Sequence, residues 1–326
     1  MQTTTAAWTG GPVVLSAAGL VKRYGQLTAG DGLSLEIYQG EVFGFLGPNG
    51  AGKTTSINML CGLLRPDRGE VRIHGERVDG GSAAVRARVG VCPQNIIIWG
   101  QLTCLEQLVF IGEMYGLPGK DCRQRGLRLL EELGLAEKQN ALGRTLSGGM
   151  QRRLNLALAL VHDPEILVLD EPEAGLDPQS RVLVREFVKS LARRKTVILT
   201  THNMDEAERM ADRVAIIDHG SLLVVDTPAA LKRSVGEGDV LEIELSPGQA
   251  ELALRAVQAA EQASALQAGV SSGSHALVIR ARGAASLLPG VLEALQSAGV
   301  QPGEVRLRAN TLEDVFISLT GRRLRE

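Results

Sequence analysis

The chain has 326 residues, which is enough for two or three domains, and its 44% apolar and 22% charged residues are typical of a globular protein. A net charge of −2 does not indicate a protein that binds nucleic acid over its whole surface, so we expect no nucleic-acid partner. The sequence contains no signal-peptide pattern and no apolar run of the ~18–20 residues that cross a bilayer, so we expect any membrane function to depend on a partner.

The first elements are two strands. Residues 1–12 are rich in Thr, Ala and Gly, and we predict a flexible N-terminus there. Residues 13–21 and the alternating residues 33–37 each predict a strand. Tyr24 follows the first strand, and two interpretations stay open: a packing residue, or an aromatic face that stacks on a base.

A phosphate-cradling pattern, G-x-x-x-x-G-K-[ST], is formed by Gly47, Pro48, Asn49, Gly50, Ala51, Gly52, Lys53 and Thr54. The largely apolar residues 41–46 predict a buried strand before it, and a helical pattern follows it. Glycines allow backbone N–H groups to surround an anion, and the helix directs its positive end to the same place. Lys53 can reach the β- and γ-phosphates, and the Thr54 hydroxyl can bind Mg²⁺. The segment predicts a nucleotide site with the base left open; the alternative is a glycine-rich turn that only joins strand to helix.

The chain changes character after Gln94. Residues 89–94 predict a strand, whereas residues 95–163 have a helical pattern, which predicts a helical insertion in an α/β core. Near the end of this insertion, Leu-Ser-Gly-Gly-Met-Gln at 146–151 opens a long helix. Ser147 can cap that helix, and the two glycines, Gly148 and Gly149, leave its first N–H groups uncovered. The arrangement predicts a second anion site, unless it is only a good helix start.

Two acids follow the next buried strand. The apolar residues 166–169 predict a strand buried on both faces, and Asp170 and Glu171 come directly after it. Open α/β sheets bind ligands at the carboxyl ends of their strands. Asp170 suits the coordination shell of Mg²⁺, and Glu171 suits a general base that activates water for attack on a γ-phosphate. The alternative is a solvated strand end that carries two acids.

Asp177 and His202 flank the following helix and strand. Asp177 is predicted to cap a helix over residues 179–192, and residues 196–199 predict a strand that leads to His202. A lone histidine is more often structural. At the same sheet edge as the two acids, however, His202 could contact a terminal phosphate.

The composition changes again after residue 234. Strands at 241–245, 276–280 and 304–308, separated by helical patterns, predict a small separate α+β domain over residues 235–326. The start of its last helix, residues 311–314, resembles a capping box with Asp in place of Glu. This region contains no recognisable catalytic set of residues.

The cysteines do not predict a metal site. The four residues form no C-x-x-C pair, and they are Cys61, Cys92, Cys104 and Cys122. We expect reduced thiols in the core of a cytosolic protein.

Three motifs together resemble the nucleotide-binding subunits of ABC transporters. They are the phosphate loop, Leu-Ser-Gly-Gly-Met at 146–150, and the strand with its two acids at 166–171. The resemblance covers residues 13–232, and the Leu-Ser-Gly-Gly element distinguishes this family from other phosphate-loop ATPases. Thr-Leu-Glu-Asp-Val-Phe at 311–316 further resembles the daunorubicin-resistance-type, ABC-2 exporter ATPases.

The resemblance implies a domain organisation. Residues 13–234 would form an ABC ATP-binding domain of the α/β class. It would have a phosphate-loop ATPase core, an antiparallel β subdomain and a helical subdomain over residues 95–163. Residues 235–326 would form an accessory α+β domain.

The resemblance also implies how ATP and Mg²⁺ are held. Tyr24 would stack on adenine, while the phosphate loop and the following Thr55 would hold the phosphates. Three residues would form the Mg²⁺ site, with Thr54 and Asp170 as ligands and Gln94 as the sensor of the ion and the attacking water.

For catalysis the resemblance implies Glu171 as the base, with His202 holding Glu171 and the γ-phosphate in register. Gln94 would lead into the lever that meets a membrane partner. The nucleotide-contacting set would be completed by Ser147, Gly148, Gly149 and Asp177. Because the chain has a single phosphate loop and a second anion site on the insertion, Ser147 and Gly149 would touch ATP bound to a second subunit.

Two positions differ from the usual pattern of the family. Met150 stands where Gln is common, and Glu173-Ala174 stands where Thr-Ser or a similar pair is more common. An extra acid so close to Glu171 could shift the pKa of Glu171 or the local field.

The function implied is the ATP-hydrolysing subunit of an exporter for a drug, an antibiotic or a lipid-like substrate. It would act as a homodimer at the cytoplasmic face of the cell membrane and energise a separate ABC-2-type permease. The alternatives are a soluble ABC-type ATPase of translation or DNA repair, and a regulator that binds ATP without turnover. The single cassette without sustained heptads disfavours the first alternative, and the presence of Glu171 and His202 disfavours the second.

Overall fold

The computed structural model of the chain describes residues 11–78, 83–235, 239–260, 267–270, 276–281 and 283–321. Most of the stretch predicted as a flexible N-terminus, residues 1–10, lies outside the described residues. The chain divides into two compact units between Thr227 and Pro228. The predicted domain boundary at residue 234 lies at the end of the first helix of the second unit, Pro228–Ser234.

The first unit contains two sheets and the helices between their strands. Its strands are β1 (Val13–Tyr24), β2 (Leu27–Tyr38), β3 (Val42–Leu46), β4 (Arg68–Ile73), β5 (Glu76–Arg77), β6 (Val89–Cys92), β7 (Ile166–Asp170), β8 (Thr196–Thr201), β9 (Arg213–Asp218) and β10 (Ser221–Asp226). Its α-helices are α1 (Lys53–Leu60), α2 (Ala83–Arg88), α3 (Cys104–Met114), α4 (Gly119–Glu132), α5 (Gly148–Leu160), α6 (Pro178–Leu191) and α7 (Met204–Met210). Short 3₁₀ turns lie at Ala136–Lys138 and Gly143–Thr145.

A six-stranded sheet forms the centre of this unit, in the order β10-β9-β3-β8-β7-β6. Five strands are parallel, and β10 returns antiparallel to β9. Every residue of β3, β7 and β8 is buried, as expected for strands covered on both faces. Register aligns Leu46 with Thr201 and Asp170 with Thr200, so the carboxyl ends of β3, β7 and β8 lie at one edge of the sheet.

The second sheet is antiparallel, in the order β2-β1-β4-β5. Its buried side chains, among them Leu20, Leu33 and Ile37, share a core with Phe43 and Phe45 of the central sheet. This arrangement confirms the predicted phosphate-loop core with an antiparallel β subdomain.

Helices α3, α4 and α5 separate β6 from β7 and lie within the predicted insertion at residues 95–163. Leu105, Leu130 and Leu154, one from each helix, are buried in the same core cluster. Thr103 and Glu106 form a reciprocal capping box at the start of α3, which fixes where the insertion becomes helical.

The second unit is an antiparallel sheet with helices, as the sequence predicts. Its elements are α8 (Pro228–Ser234), β11 (Asp239–Leu245), α9 (Ala250–Ala260), β12 (Gln267–Val270), β13 (Ala276–Ala281), α10 (Ala284–Ser297), β14 (Pro302–Ala309) and α11 (Leu312–Thr320). The strand order is β12-β13-β11-β14. None of the helices in the described parts of either unit has the length and apolar character of a membrane span.

Asp314 shows why the sequence of the last helix matters to the second unit. Its carboxylate and the Thr311 side chain form the capping box of α11. The same carboxylate receives bonds from Arg308 at 2.6 Å and Arg280 at 3.0 Å. Burial opposes ionisation of Asp314, yet the bonds from Arg308 and Thr311 hold its pKa well below the usual range. Asp314 therefore joins helix α11 to strands β13 and β14.

Candidate nucleotide-binding and hydrolysis site

The phosphate loop lies between β3 and α1 and depends on two glycines for its shape. A Cβ at Gly47 would lie 2.3 Å from the carbonyl oxygen of Ile217. Gly52 has a φ of +98°, and a Cβ there would lie 2.2 Å from the carbonyl oxygen of Ala29. Both positions therefore require glycine, and the loop runs directly into the N-terminus of an eight-residue helix, Lys53–Leu60.

Lys53 places its ammonium group under this loop. The side chain is buried, and Nζ donates to the carbonyl oxygens of Gly47 at 2.8 Å and Pro48 at 3.0 Å. Nζ also lies 4.0 Å from Oε1 of Glu171. Burial lowers the pKa of Lys53, and the carboxylates of Glu171 and Asp170 oppose that shift. The loop and the strand end thus share one buried cation.

Thr54 and Asp170 bring two oxygen-bearing groups together from distant parts of the sequence. The Thr54 hydroxyl donates to Oδ2 of Asp170 at 3.2 Å. The other carboxylate oxygen, Oδ1, accepts from the Thr200 hydroxyl on the adjacent strand β8. Thr54 is exposed, whereas Asp170 is buried, so an oxygen-lined corner opens toward solvent on the side of the loop.

Glu171 is the point where the other predicted groups meet. His202 Nδ1 lies 2.9 Å from Oε1, and Gln94 Nε2 donates to Oε2 at 3.1 Å. Glu171 has a φ of +48°, a left-handed backbone conformation that is strained for a residue other than glycine. Its N–H donates to Thr200, to the carbonyl oxygen at 3.2 Å and to the hydroxyl at 3.0 Å. The strand end therefore holds the Glu171 side chain in a fixed direction.

Glu173, the unusual acid, is paired with a cation of its own. It is buried and accepts two bonds from Arg185 of α6, from Nε at 2.9 Å and from Nη2 at 2.8 Å. Such a bidentate pair balances the charge of the carboxylate locally. The structure thus shows a partner for this acid that the sequence pattern did not indicate.

A second buried acid, Glu206 on α7, was not predicted from the sequence. It accepts from the Thr201 hydroxyl at 2.5 Å. Burial raises the pKa of Glu206 to about 7; the bond from Thr201 opposes this rise, and the charges of Glu173 and Glu171 add to it. Nothing in the amphipathic pattern of the short helix α7 marks this acid as buried.

We expect Glu206→Gln to remove part of the pH dependence of stability. Because the folded-state pKa is raised from 4.5 to about 7, the stability contributed by protonated Glu206 is full below pH 4.5 and is lost as the pH rises through 7. At about 1.4 kcal/mol per pKa unit, the loss is about 3 kcal/mol. Gln cannot ionise, so the variant should be the more stable protein at pH 8.

Urea unfolding of both proteins at pH 5 and pH 8 measures this difference. Glu41, whose pKa burial also raises to about 7, is present in both proteins and cancels in the comparison. Glu186→Gln, at a surface position, is the control and should leave the wild-type pH dependence unchanged. Equal pH dependence in the Glu206→Gln and wild-type proteins would show that Glu206 does not titrate in this range.

The Leu-Ser-Gly-Gly segment lies at the start of α5. Ser147 is the N-cap, and its hydroxyl accepts from the N–H of Met150 at 3.3 Å. A Cβ at Gly149 would lie 2.7 Å from the Ser180 hydroxyl, so the starts of α5 and α6 are closely packed here. Asp177 caps α6 by accepting from the N–H of Ser180 at 3.1 Å.

The predicted site residues thus fall into two groups. The structure brings the first group together in one place. This group contains the phosphate loop with Lys53 and Thr54, and also Gln94, Asp170, Glu171 and His202. The second group contains Tyr24, Ser147, Gly148, Gly149 and Asp177. Across the part of the chain that the structure describes, these five residues form no hydrogen bond with the first group. Tyr24, at the end of β1, is half exposed, and Lys22 Nζ lies 5.8 Å from the centre of its ring.

Thr200 and Arg152 also contribute to the site, although the motifs did not single them out. Thr200 belongs to β8, and its position opposite Asp170 follows from the register of β7 and β8. Arg152 is buried and donates to backbone carbonyls around Glu171. A basic residue near the start of an amphipathic helix is normally read as solvent-exposed, so its burial gave no signal in the sequence.

Known proteins are similar to this chain in sequence and in fold. The ABC transporter family matches residues 31–174. The Nod factor export ATP-binding protein I of Ralstonia nicotianae is 42% identical over 97% of this chain and 97% of its own length. A daunorubicin resistance ATP-binding protein of Streptomyces coeruleorubidus is 39% identical over 96% of this chain and 98% of its own length.

Among solved structures, a dimeric ATP-binding cassette in a post-hydrolysis state, bound to ADP and Pi, has a TM-score of 0.60 and 26% identity. The match covers 65% of this chain and 98% of that cassette. The similarity to the relatives extends over nearly the whole chain, and the similarity to the solved cassette covers about two thirds of it. The chain therefore belongs to the ATP-binding proteins of the ABC transporter family, is of the exporter type to which the daunorubicin-resistance proteins belong, and is an ATPase.

Proposed function

We propose that the chain hydrolyses ATP to energise a separate ABC-2-type membrane permease that exports a drug, an antibiotic or a lipid-like molecule. The observation that carries the hydrolysis step is the position of Glu171. Its buried carboxylate lies between Gln94 at 3.1 Å, His202 at 2.9 Å and Lys53 at 4.0 Å. A carboxylate with these neighbours, beside a phosphate loop, suits a general base for phosphoryl transfer to water.

The loop would hold the nucleotide phosphates. Its backbone N–H groups and the start of α1 supply partial positive charge, and Lys53 supplies a full charge. The bonds from Lys53 to the carbonyls of Gly47 and Pro48 would be exchanged for bonds to phosphate oxygens, which are stronger because both partners are charged. Thr55, the third residue of α1 and partly buried, would contribute at the same helix start.

The oxygen-lined corner fits Mg²⁺. Hydroxyl and carboxylate oxygens are the donors that this ion prefers, and Thr54 and Asp170 supply both kinds. We propose these two residues as ligands, with the Gln94 side chain nearby as the sensor. When bound, Mg²⁺ neutralises charge on the β- and γ-phosphate oxygens.

In the proposed reaction, Glu171 accepts a proton from the water that attacks the γ-phosphate. His202 contacts the same carboxylate and would hold it in register with the γ-phosphate. Gln94, bound to the other carboxylate oxygen, would orient the water. Because Thr200 fixes the Glu171 backbone, the base is positioned before the nucleotide arrives.

A second subunit would complete the site. Ser147 and Gly148 are exposed at the positive end of a 13-residue helix, a ready position for an anion. Within the described residues the hydrogen bonds of Ser147 join it only to Met150 and Gln151 of α5, which leaves this exposed N-cap able to face the nucleotide of a partner chain. We propose a homodimer in which Ser147, Gly148, Gly149 and Asp177 face the partner's ATP. The half-exposed Tyr24 would stack on adenine.

An apolar cleft beside Gln94 favours the proposal that a membrane partner contacts this unit there. The cleft has a volume of about 250 Å³ and is lined by Leu63, Pro93, Ile97, Trp99 and Tyr115, among others. Four of these side chains, all but Pro93, are exposed large hydrophobic groups. Because Pro93 precedes Gln94, a partner seated here would act directly on the group that contacts Glu171.

The class of substrate rests on the relatives. One is a Nod factor export protein and another a daunorubicin resistance protein, and both resemble this chain over nearly its whole length. We propose that residues 13–234 form the ATP-binding domain, with the helical subdomain over 95–163. Residues 235–326 would be an accessory domain. The chain would work at the cytoplasmic face of the cell membrane, bound there through the permease.

Purification of the tagged chain from membranes, with and without ATP, tests the permease assignment. We expect a polytopic membrane protein without its own ATPase domain to co-purify. Trp99→Asp, a charge in the apolar cleft, should reduce that co-purification while leaving the chain folded. Recovery of ribosomes or DNA-repair factors without a membrane protein would favour the soluble ATPase instead.

A further inference from the structure

Arg152 occupies a buried position where five backbone carbonyls converge. Its side chain lies on the second turn of α5 and is 4% exposed. The guanidinium donates to five carbonyl oxygens, those of Pro93 (2.6 Å), Gln94 (2.9 Å), Asp170 (2.7 Å), Glu171 (2.8 Å) and Pro172 (3.3 Å). These acceptors belong to two segments, one directly after β6 and one that begins at Asp170, the last residue of β7.

The bonds satisfy a charge that burial would otherwise make costly. Arginine has five N–H donors, and a buried guanidinium is tolerated only when its donors are bonded. Within the described residues Arg152 forms no ion pair, so its charge is held by the partial negative charges of carbonyl groups. A residue in such a setting links the three segments that it touches, namely α5 and the two carbonyl-bearing loops.

The hydrogen bonds around Glu171 show which groups Arg152 holds in place. Glu171 is left-handed at φ +48°, and the carbonyls of Asp170 and Glu171 both accept from the same nitrogen, Nη2. A second nitrogen, Nη1, donates to the carbonyl of Gln94, whose side chain donates to the Glu171 carboxylate at 3.1 Å. One guanidinium thus fixes the backbones of both residues of this side-chain pair.

We propose that Arg152 is a positioning residue for hydrolysis, which keeps Glu171 in its strained conformation and Gln94 beside it. This inference rests on the proposed role of Glu171 as the base. The Arg152 guanidinium binds backbone carbonyls on the side of Gln94 and Glu171, and within the described residues it forms no hydrogen bond to the phosphate loop. Its loss should therefore affect the chemical step and spare nucleotide binding.

Arg152→Gln tests the inference through the separation of kcat from KM. We expect kcat for ATP to fall by about 10–100-fold, the scale of a small misplacement of a catalytic group. The KM and the affinity for a fluorescent ATP analogue should not change, since Lys53 and Thr54 are untouched. Amide hydrogen exchange at Glu171, whose N–H is bonded to Thr200, should become faster.

Arg153→Gln is the matched control on the same helix. Arg153 donates to the carbonyls of Leu133 at 2.7 Å and Gly134 at 3.2 Å, with a longer contact of 3.4 Å to Gly149, and does not reach Gln94 or Glu171. It should retain the wild-type kcat and the wild-type exchange at Glu171. If Arg152→Gln does not fold, Arg152→Lys serves instead; a single ammonium cannot serve both loops, so kcat should still fall at unchanged KM.

The outcomes separate this inference from the proposed function. Wild-type kcat in the Arg152 variant that folds, with an inactive Glu171→Gln protein, would overturn the positioning role alone. A fall in kcat that the Arg153 control shares equally would also overturn it, because the effect would then be one of helix stability. Near-normal turnover of Glu171→Gln would instead overturn the assignment of the base.

Discussion

Glu171→Gln is expected to reduce the rate of ATP hydrolysis by about 10²–10⁴-fold, the range of general-base catalysis, while ATP still binds. The amide has nearly the shape of the carboxylate but cannot accept the proton of the attacking water. Both neighbours of the carboxylate, Gln94 and His202, remain in place, and so does the bond from the Glu171 N–H to Thr200. The loss should therefore appear in kcat.

Steady-state hydrolysis and equilibrium binding of ATP measure the two quantities separately. Glu186→Gln makes the same chemical change on the exposed surface of α6 and should have wild-type kinetics. A turnover of Glu171→Gln close to that of the wild type would refute the role of Glu171 as the base. A large loss of ATP affinity in that variant would show that the carboxylate acts mainly in binding.

Lys53→Ala should weaken ATP binding by about 10–150-fold, which corresponds to 1.5–3 kcal/mol for a hydrogen bond to a charged group. The ammonium is the buried cation of the phosphate loop, where it donates to the carbonyls of Gly47 and Pro48. Its removal takes a full positive charge from the place where the phosphates would lie. Unlike Glu171→Gln, this change acts on the bound ground state as well as on the reaction.

A titration with a fluorescent ATP analogue gives the affinity directly. Lys189→Ala removes a half-exposed lysine from α6 and serves as the control, with an expected affinity equal to that of the wild type. If the Lys53→Ala protein bound ATP as tightly as the control, the phosphate-loop assignment would be incorrect.

The edge of the central sheet could be predicted from the sequence because its signals are local. Apolar runs before Gly47 and Asp170 mark strands buried on both faces, and parallel strands place their carboxyl ends together. The meeting of Lys53, Glu171 and His202 follows from that topology. The small α+β unit was predicted for the same reason, since its strands alternate and its last helix carries a capping pair, Thr311 and Asp314.

The partners of buried charges could not be predicted in this way. Glu173 pairs with Arg185, twelve residues later, and Arg152 binds carbonyls up to 59 residues earlier. Such contacts depend on how helices pack onto the sheet, and the residue types alone suggest a solvated surface. The raised pKa of Glu206 has the same origin, because it follows chiefly from burial by elements remote in sequence.

The proposed function requires that two chains together form the hydrolysis site. The mass of the Glu171→Gln protein in solution, measured by light scattering with and without ATP and Mg²⁺, tests that claim most directly. We predict the mass of a single chain, 34.7 kDa, without nucleotide and twice that mass with it. At an ATP concentration that saturates Glu171→Gln but lies below the Kd of Lys53→Ala, Lys53→Ala should remain a single chain in both conditions. A Glu171→Gln protein that binds ATP to saturation and keeps the mass of one chain would contradict a hydrolysis site formed by two chains.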